Sequence, residues 1–245
     1  MANPNPIAVP KDCFNLNAMQ PQFAVWIQAW VISRFFSELT AFLLKNREKI
    51  LVDKIVCMGL GCVNLEQGLA QRRYTQHLAA RTIYNILSIG RKEPLGFYAQ
   101  DPEYCQAYID YLQAPKFGVS KVLPHPDGLN LIDNQTFLVT FNCDIDVKRP
   151  VFEKLHNIGG LAGMLSTAVN PLKPGEYQIS PVDDALWKDS ADERVKKWAD
   201  KCEKKDDFED DDFKKKMFGY YNGLTKDVNL GNCAIYARAS TLGAM

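Results

Sequence analysis

The sequence predicts an α/β fold: a Rossmann-like, doubly wound, mostly parallel sheet, with an N-terminal helix and a charged helical excursion before the last strand. Three observations predict it. A short apolar segment, Lys54 to Met58, has the composition of a buried strand and runs directly into a Gly-x-Gly turn, Gly59-Leu60-Gly61. A second such segment, Gly96 to Gln100, follows about forty residues later and ends on Asp101. Phe137 to Phe141 is an unbroken apolar run, the composition of a strand covered on both faces in a parallel sheet. Helical segments separate these strands, and that alternation requires right-handed crossovers and helices on both faces.

The 245 residues suffice for one large α/β domain or two small ones. The expectation is a flexible N-terminal arm over residues 1–20 and a single domain over 21–245. Hydrophobic residues make up 47% and charged residues 24%, the balance of a globular protein. Formal net charge is zero, so no global field draws the chain to nucleic acid or an anionic membrane, and neither is expected as a partner. Seven cysteines include no Cys-x-x-Cys pair, and His77, His125 and His156 are scattered. That spacing argues against structural zinc and for reduced thiols in the cytoplasm, the nucleus or both. Met1 to Asp12 lacks the basic-then-apolar run of a signal peptide, and the sequon Asn134-Gln135-Thr136 is a chance match in such a setting.

Residues 22–44 are the most hydrophobic part of the chain. Val25, Ala29, Ile32, Phe36, Leu39 and Leu43 recur at helical spacing and predict one helix whose apolar stripe packs on the sheet. Arg34 and Glu38 lie on the opposite side, and charged residues of this kind cost about 2.5–3.5 kcal/mol each at the centre of a bilayer. The helix is therefore expected outside the membrane. Trp26 and Trp30 add a second apolar patch, which either packs under the N-terminal arm or docks a partner protein.

After the 54–58 strand, Cys62 to Arg73 form a polar connection. A helix is expected from Tyr74 to Ser88, with Leu78, Ala79, Ile83, Ile86 and Leu87 buried and Gly90 ending it. Beyond the 96–100 strand, Pro102 suits the first turn of a helix lined by Tyr104, Tyr108 and Leu112, because a proline loses no N–H bond there. Val119 to Leu123 is a third predicted strand. Pro126-Asp127-Gly128 is a turn, Leu129 to Ile132 a small extra strand, and Asp133-Asn134 another turn. A helix from Val151 to Asn157 follows the 137–141 strand, then a fifth strand, Leu161 to Leu165, and a closing strand, Ala234 to Ala239.

From Lys188 to Lys216, 21 of 29 residues are charged, ten positive and eleven negative. Mixed-sign helices of this kind are solvated and held by i, i+4 pairs. Val195, Trp198 and Cys202 give a thin apolar stripe by which the first half docks. The segment is expected to be a surface excursion whose only firm anchors are Trp198 and its neighbours. Asp206 to Asp212 lacks the central glycine and the closing Glu of a calcium loop.

The Gly-x-Gly turn and Asp101 mark where a ligand would sit. Glycines let backbone approach a phosphate or a ribose, and a carboxylate at the next strand end can accept ribose hydroxyls. The third glycine of the dinucleotide fingerprint falls at Asn64, and the acidic residue lies about twice the usual distance away. The candidate binding residues are Gly59, Gly61, Gln76 and Asp101. A nucleotide or S-adenosylmethionine fits the pattern, and the cofactor stays unassigned. Asp101 is either a ribose acceptor or the cap of the helix at Pro102. Gln76 bonds a ligand or caps the loop. Arg72 and Arg73 neutralise phosphate or belong to a solvated loop. Asp101, Cys62, Cys143 and Asp144 are the candidates for catalysis, and a Cys–His dyad would need His77 beside Cys62 or Cys143. Cys57 and Cys143, at strand positions, fit small buried apolar groups. No catalytic residue and no metal ligand is assigned.

These motifs converge on a family. Ile55-Val56-Cys57-Met58-Gly59-Leu60-Gly61, Gln76-His77-Leu78-Ala79, Gln100-Asp101-Pro102 with Tyr104, Asp110 and Leu112, Asp127-Gly128, Thr136, Val147 and Ile235-Tyr236-Ala237-Arg238 occur in this order. The chain resembles the SRR1-like domain family over about residues 50–240, and looks closest to its fungal-type members. It departs from them at Asn142 to Asp146, which lacks two expected prolines, and at Met164 to Thr167, where other members carry Gly-Asn-Ser. The resemblance implies a regulatory role, in light and clock signalling in plants and in stress, cytoskeletal or haem-related regulation elsewhere, and no established reaction. The expected function is thus a regulatory protein that binds a small molecule, or a partner through Trp26, Trp30 or the 188–216 segment, without turnover. The alternatives are an S-adenosylmethionine-dependent methyltransferase-like or other nucleotide-dependent enzyme, and a scaffold that kept the fold without the ligand.

Overall fold

The computed structural model describes residues 14–64, 69–141, 147–155, 157–167, 190–205 and 233–238. Their strands join in one sheet: β1 (Lys54–Met58), β2 (Gly96–Gln100), β3 (Lys121–Val122), β4 (Thr136–Thr140), β5 (Gly163–Thr167), β6 (Glu203–Lys205) and β7 (Cys233–Ala237). The order is β3-β2-β1-β4-β5-β7-β6. The first five are parallel, and β7 runs antiparallel to both β5 and β6.

All five expected sheet strands occur, and β1 and β2 have the expected ends. The paired part of β3 shrinks to two residues because it is an edge strand with β2 as its one neighbour. The apolar run of β4 is buried at every position, as its place between β1 and β5 demands. Alternate strand residues feed two apolar layers. Ile55, Cys57, Phe97 and Phe137 face one layer, and Val56, Met58, Leu138 and Met164 the other. Each large side chain sealed there contributes about 1.5–3 kcal/mol.

The first layer is covered by α1 (Leu16–Val31), α2 (Arg34–Asn46), α3 (Ala70–Leu87) and α4 (Gln106–Gln113). The second is covered by α5 (Asp127–Leu131), α6 (Lys148–Leu155) and α7 (Ser190–Ala199). Helices on both faces make the sheet doubly wound, as the alternation predicts.

The single helix expected over 22–44 is two helices, bent by 61°. Ser33 causes the break. Its hydroxyl accepts from the Phe36 N–H (3.1 Å), capping α2, and donates to the Trp30 carbonyl (2.7 Å), closing α1. The break resets the helical phase, so Ile32, expected in the buried stripe, is 60% exposed. Upstream, α1 begins ahead of Pro21, because the Asn15 side chain accepts from the Ala18 N–H and caps it. Trp26 and Trp30 are a patch for no partner here: both are buried at 3% exposure. Trp26 packs against Tyr74, and Trp30 donates its indole N–H to Thr82 Oγ1 on α3 (3.2 Å). No single helix among the described residues is long and apolar enough to cross a membrane; only the bent α1–α2 pair passes by length and composition. Arg34 and Glu38, expected opposite the apolar stripe, form an i, i+4 pair at 2.6 Å.

The extra strand expected at 129–132 is the short helix α5. A strand there would need a ladder partner; instead the Asn130 N–H bonds back to the Pro126 carbonyl. The 188–216 segment also differs from expectation in its described part. Trp198 anchors it, with its indole N–H on the Leu161 carbonyl (3.2 Å) and its ring over Gly160, where a Cβ would lie 2.3 Å away. A second anchor was not foreseen: β6 adds a strand to β7, and Lys205 pairs with Glu38 on α2 at 3.0 Å. The stretch Asp206 to Asp212 lies outside the described residues, as does the N-terminal arm up to residue 13.

Candidate functional site

Register brings four strands level at or next to their carboxyl ends. Met58 pairs with Gln100 on one side and with Thr140 on the other, and Thr140 pairs with Ser166. From β1 the chain winds outward through β2 and β3, whereas β4 leads to β5 on the other side, so the winding reverses between β1 and β4. In open α/β sheets, ligand crevices lie outside the carboxyl ends of the strands at such a point. Gly59 to Gly61 leave β1 there, and Asp101 leaves β2.

Gly59 (φ 67°) and Gly61 (φ 74°) both take the left-handed conformation, which is cheap for glycine alone. The Gly59 N–H donates to the Gln100 carbonyl at 3.1 Å and extends the β1–β2 ladder by one bond. The Gly61 N–H donates to Asp101 Oδ2 at 2.7 Å, and Asp101 Oδ1 accepts from the Glu103 N–H at 2.8 Å. Asp101 therefore ties the glycine turn to the end of β2. Bonding the N–H two residues on also closes a side-chain turn over Pro102-Glu103. That is why the helix expected at Pro102 starts only at Gln106, with Cys105 as its N-cap. Asp101 caps no helix. Burial raises its carboxyl above the usual carboxylate range, outweighing the lowering by its bonds from Glu103 and Gly61 and by the Arg73 charge.

The room beside Gly61 is filled by Arg73. A Cβ on Gly61 would lie 2.6 Å from Arg73 Nε. Arg73 Nη1 donates to the Cys62 carbonyl (2.8 Å) and pairs with Glu103 Oε2 (2.7 Å). Arg72 and Arg73 thus belong to the first turn of α3, not to a solvated loop, and Arg73 latches the turn to Glu103. One helical turn on, His77 Nδ1 lies 2.7 Å from the Arg73 carbonyl and Nε2 lies 2.9 Å from the Tyr104 hydroxyl. A carbonyl can only accept, so Nδ1 carries the proton and Nε2 accepts from Tyr104. Burial lowers the imidazole to about 4 and keeps it neutral. Both ring nitrogens are engaged, so no His77–Cys62 dyad forms. Cys143 and Asp144 lie outside the described residues. Cys57 is buried, as expected of a strand cysteine, and burial pushes its thiol up.

Gln76 lies beside this latch but outside it. It is 5% exposed, yet its amide makes no hydrogen bond among the described residues and is not sealed from solvent. It therefore caps no loop within the described residues. Leu69, the N-cap of α3, gives no side-chain cap, and the first turns of α3 and α6 hold no acidic residue. Burial pushes the Cys233 thiol up to about 12, against the opposing charges of Arg72 and Lys148. Cys233 pairs with Thr167 at the carboxyl end of β5, so both cations act on this edge of the sheet.

Three further residues, Gln100, His125 and Gly128, close the site on the β2 side. Gln100 Oε1 accepts from the Gly128 N–H at 2.7 Å, and Gln100 Nε2 lies 3.3 Å from His125 Nδ1. A Cβ on Gly128 would sit 2.7 Å from Gln100 Oε1, so glycine at 128 is a packing requirement. The roles of Arg73, Glu103, Tyr104 and Gln100 are absent from the sequence reading. One signal was available: Asp101-Pro102-Glu103 has the spacing of a carboxylate bonding the N–H two residues ahead. Among the described residues, no group of three or more His, Cys, Asp or Glu side chains is placed to hold a metal ion.

No curated protein and no solved structure matches the chain. The SRR1 domain family matches residues 31–215, well over half of the 245 residues. This family points to a regulatory type of protein in general terms. The match spans the whole glycine-turn site from β1 to α6, and the chain belongs to the SRR1 domain family.

Proposed function

We propose that this protein is a regulator whose domain, residues 21–245, binds a small anionic molecule at the carboxyl ends of β1 and β4 and does not turn it over. Gln76 carries the reading: a deeply placed amide on α3, the helix that follows β1, not sealed from solvent and without a hydrogen-bond partner among the described residues. Such a group favours a ligand that can supply its hydrogen bonds. The uncapped start of α3 and the cations Arg72 and Lys148 favour negative charge on that ligand. Gly59 and Gly61 shape the wall, and Asp101 holds it in place, with each oxygen already accepting one N–H. Nucleotides and S-adenosylmethionine are the first ligands to try.

A thermal-shift series tests this. A ligand at about 100 times its dissociation constant stabilises by ~2.7 kcal/mol. For a chain of this size that is a rise of roughly 5–11 °C. Gln76→Leu should abolish the shift while leaving the unliganded melting temperature near that of the wild type. If no nucleotide, dinucleotide or S-adenosylmethionine at millimolar concentration moves the transition, the scaffold reading replaces this one.

A further inference from the structure

Two thiols meet beside the glycine turn. Cys62, in the segment leaving Gly61, and Cys105, the N-cap of α4, place their sulfurs 4.0 Å apart across 43 positions of sequence. Each residue is 3% exposed, and no disulfide joins them. We propose that Cys62 and Cys105 form a reversible disulfide, driven by a small peroxide, that ties the glycine turn to the start of α4. The inference does not depend on a bound ligand.

The geometry suits the bond. Disulfide sulfurs sit about 2.05 Å apart, so these must close by roughly 2 Å. Neither residue is inside a helix or strand: Cys62 lies in the loop after Gly61 and Cys105 at a helix border. Side-chain rotation and a small shift of that backbone can supply the movement.

Burial also selects the oxidant. A tripeptide disulfide cannot reach sulfurs this enclosed, whereas hydrogen peroxide is close to water in size. One cysteine sulfur attacks a peroxide oxygen and the O–O bond breaks, giving a sulfenic acid and, with the thiol proton, one water. The second sulfur attacks the sulfenic sulfur, the S–O bond breaks, and a second water leaves with the remaining thiol proton. Two thiols and one peroxide become one disulfide and two waters, with two electrons passing from sulfur to oxygen. A thiol small enough to enter as peroxide does reverses the step by exchange. The link would reinforce backbone already held by the Gly61–Asp101 and Arg73–Cys62 bonds.

The test uses the whole protein exposed to hydrogen peroxide, with a reduced sample as control, followed by non-reducing peptide mapping. The expected product is a linked pair of peptides containing Cys62 and Cys105, lighter by two hydrogens and separated by a phosphine reductant. The melting temperature should rise by roughly 5–10 °C on oxidation, because the closed loop restricts the unfolded chain. Cys105→Ala should remove both the link and the rise. If that variant does not fold, Cys62→Ser serves, and the wild-type map decides alone. Sulfinic acid on either cysteine without a link, a link to another cysteine, or unlinked thiols after peroxide treatment overturns the proposal.

Discussion

Gly61→Ala probes the latch at the glycine turn most directly. Two costs arise at once. An alanine at φ +74° pays about 1–2 kcal/mol for the left-handed backbone. Its Cβ also lies 2.6 Å from Arg73 Nε and 2.8 Å from Arg73 Cδ. Arg73 cannot swing away without giving up the Cys62 carbonyl and Glu103, so overpacking adds about 1–3 kcal/mol. Gly90 supplies the control. It has the same φ of +74°, and nothing lies within 4 Å of its Cβ position, so Gly90→Ala pays the backbone cost alone. Gly61→Ala should therefore exceed Gly90→Ala by about 1–3 kcal/mol, or roughly 2–12 °C in melting temperature. Urea and thermal unfolding of both variants read the difference, and adding Arg73→Ala should remove it from the Gly61 variant. Equal losses at the two glycines would mean that Arg73 does not fill the space beside the turn.

Three further outcomes follow from the same contacts. His77 has an unfolded value near 6.5 and a folded value of about 4, so between these pH values the unfolded chain binds more protons. Its contribution of ~3 kcal/mol is fully present above pH 6.5 and is lost as the pH falls toward 4; a His77→Gln variant should show a flatter stability profile over that window, and an unchanged slope would refute this. Asp101→Asn leaves one acceptor oxygen for two N–H donors, with its own NH2 facing the other, so a loss of about 1–2 kcal/mol is expected after the relief of a buried charge is counted; a variant more stable than the wild type in urea would show that Asp101 does not hold the turn. Thr82→Val strands the Trp30 indole N–H in the core at about 1–3 kcal/mol, whereas Thr82→Ser retains the bond, a contrast measurable by tryptophan fluorescence during unfolding.

Strand positions and the doubly wound arrangement were legible in the sequence, because they follow from chain-local composition. Lys54–Met58, Gly96–Gln100 and the apolar run near 137–141 bury one or both faces whatever surrounds them, so their residues alone mark them as strands. The glycine turn was legible for the same reason: positive φ at Gly59 and Gly61 needs no partner to be favoured. Helix borders were less so. Ser33 breaks the long apolar stripe through a side-chain bond to Phe36 that competes with helix continuation, and periodicity does not register such a competition.

What occupies the turn was decided only in three dimensions. From the sequence, Gly61 makes room for a ligand and Asp101 offers acceptors to one. In the fold, Arg73 comes from α3 to fill that room, and Asp101 spends an oxygen on each of two backbone N–H groups. The same holds for Cys62 and Cys105, whose sulfurs stand 4.0 Å apart because β1 and β2 are neighbours in the sheet. The sequence by itself determined which residues could serve this edge of the sheet. Tertiary structure decided which are consumed in building it and which, like Gln76, make no hydrogen bond among the described residues, because hydrogen-bond partners and occupied volume are assigned only when distant segments pack.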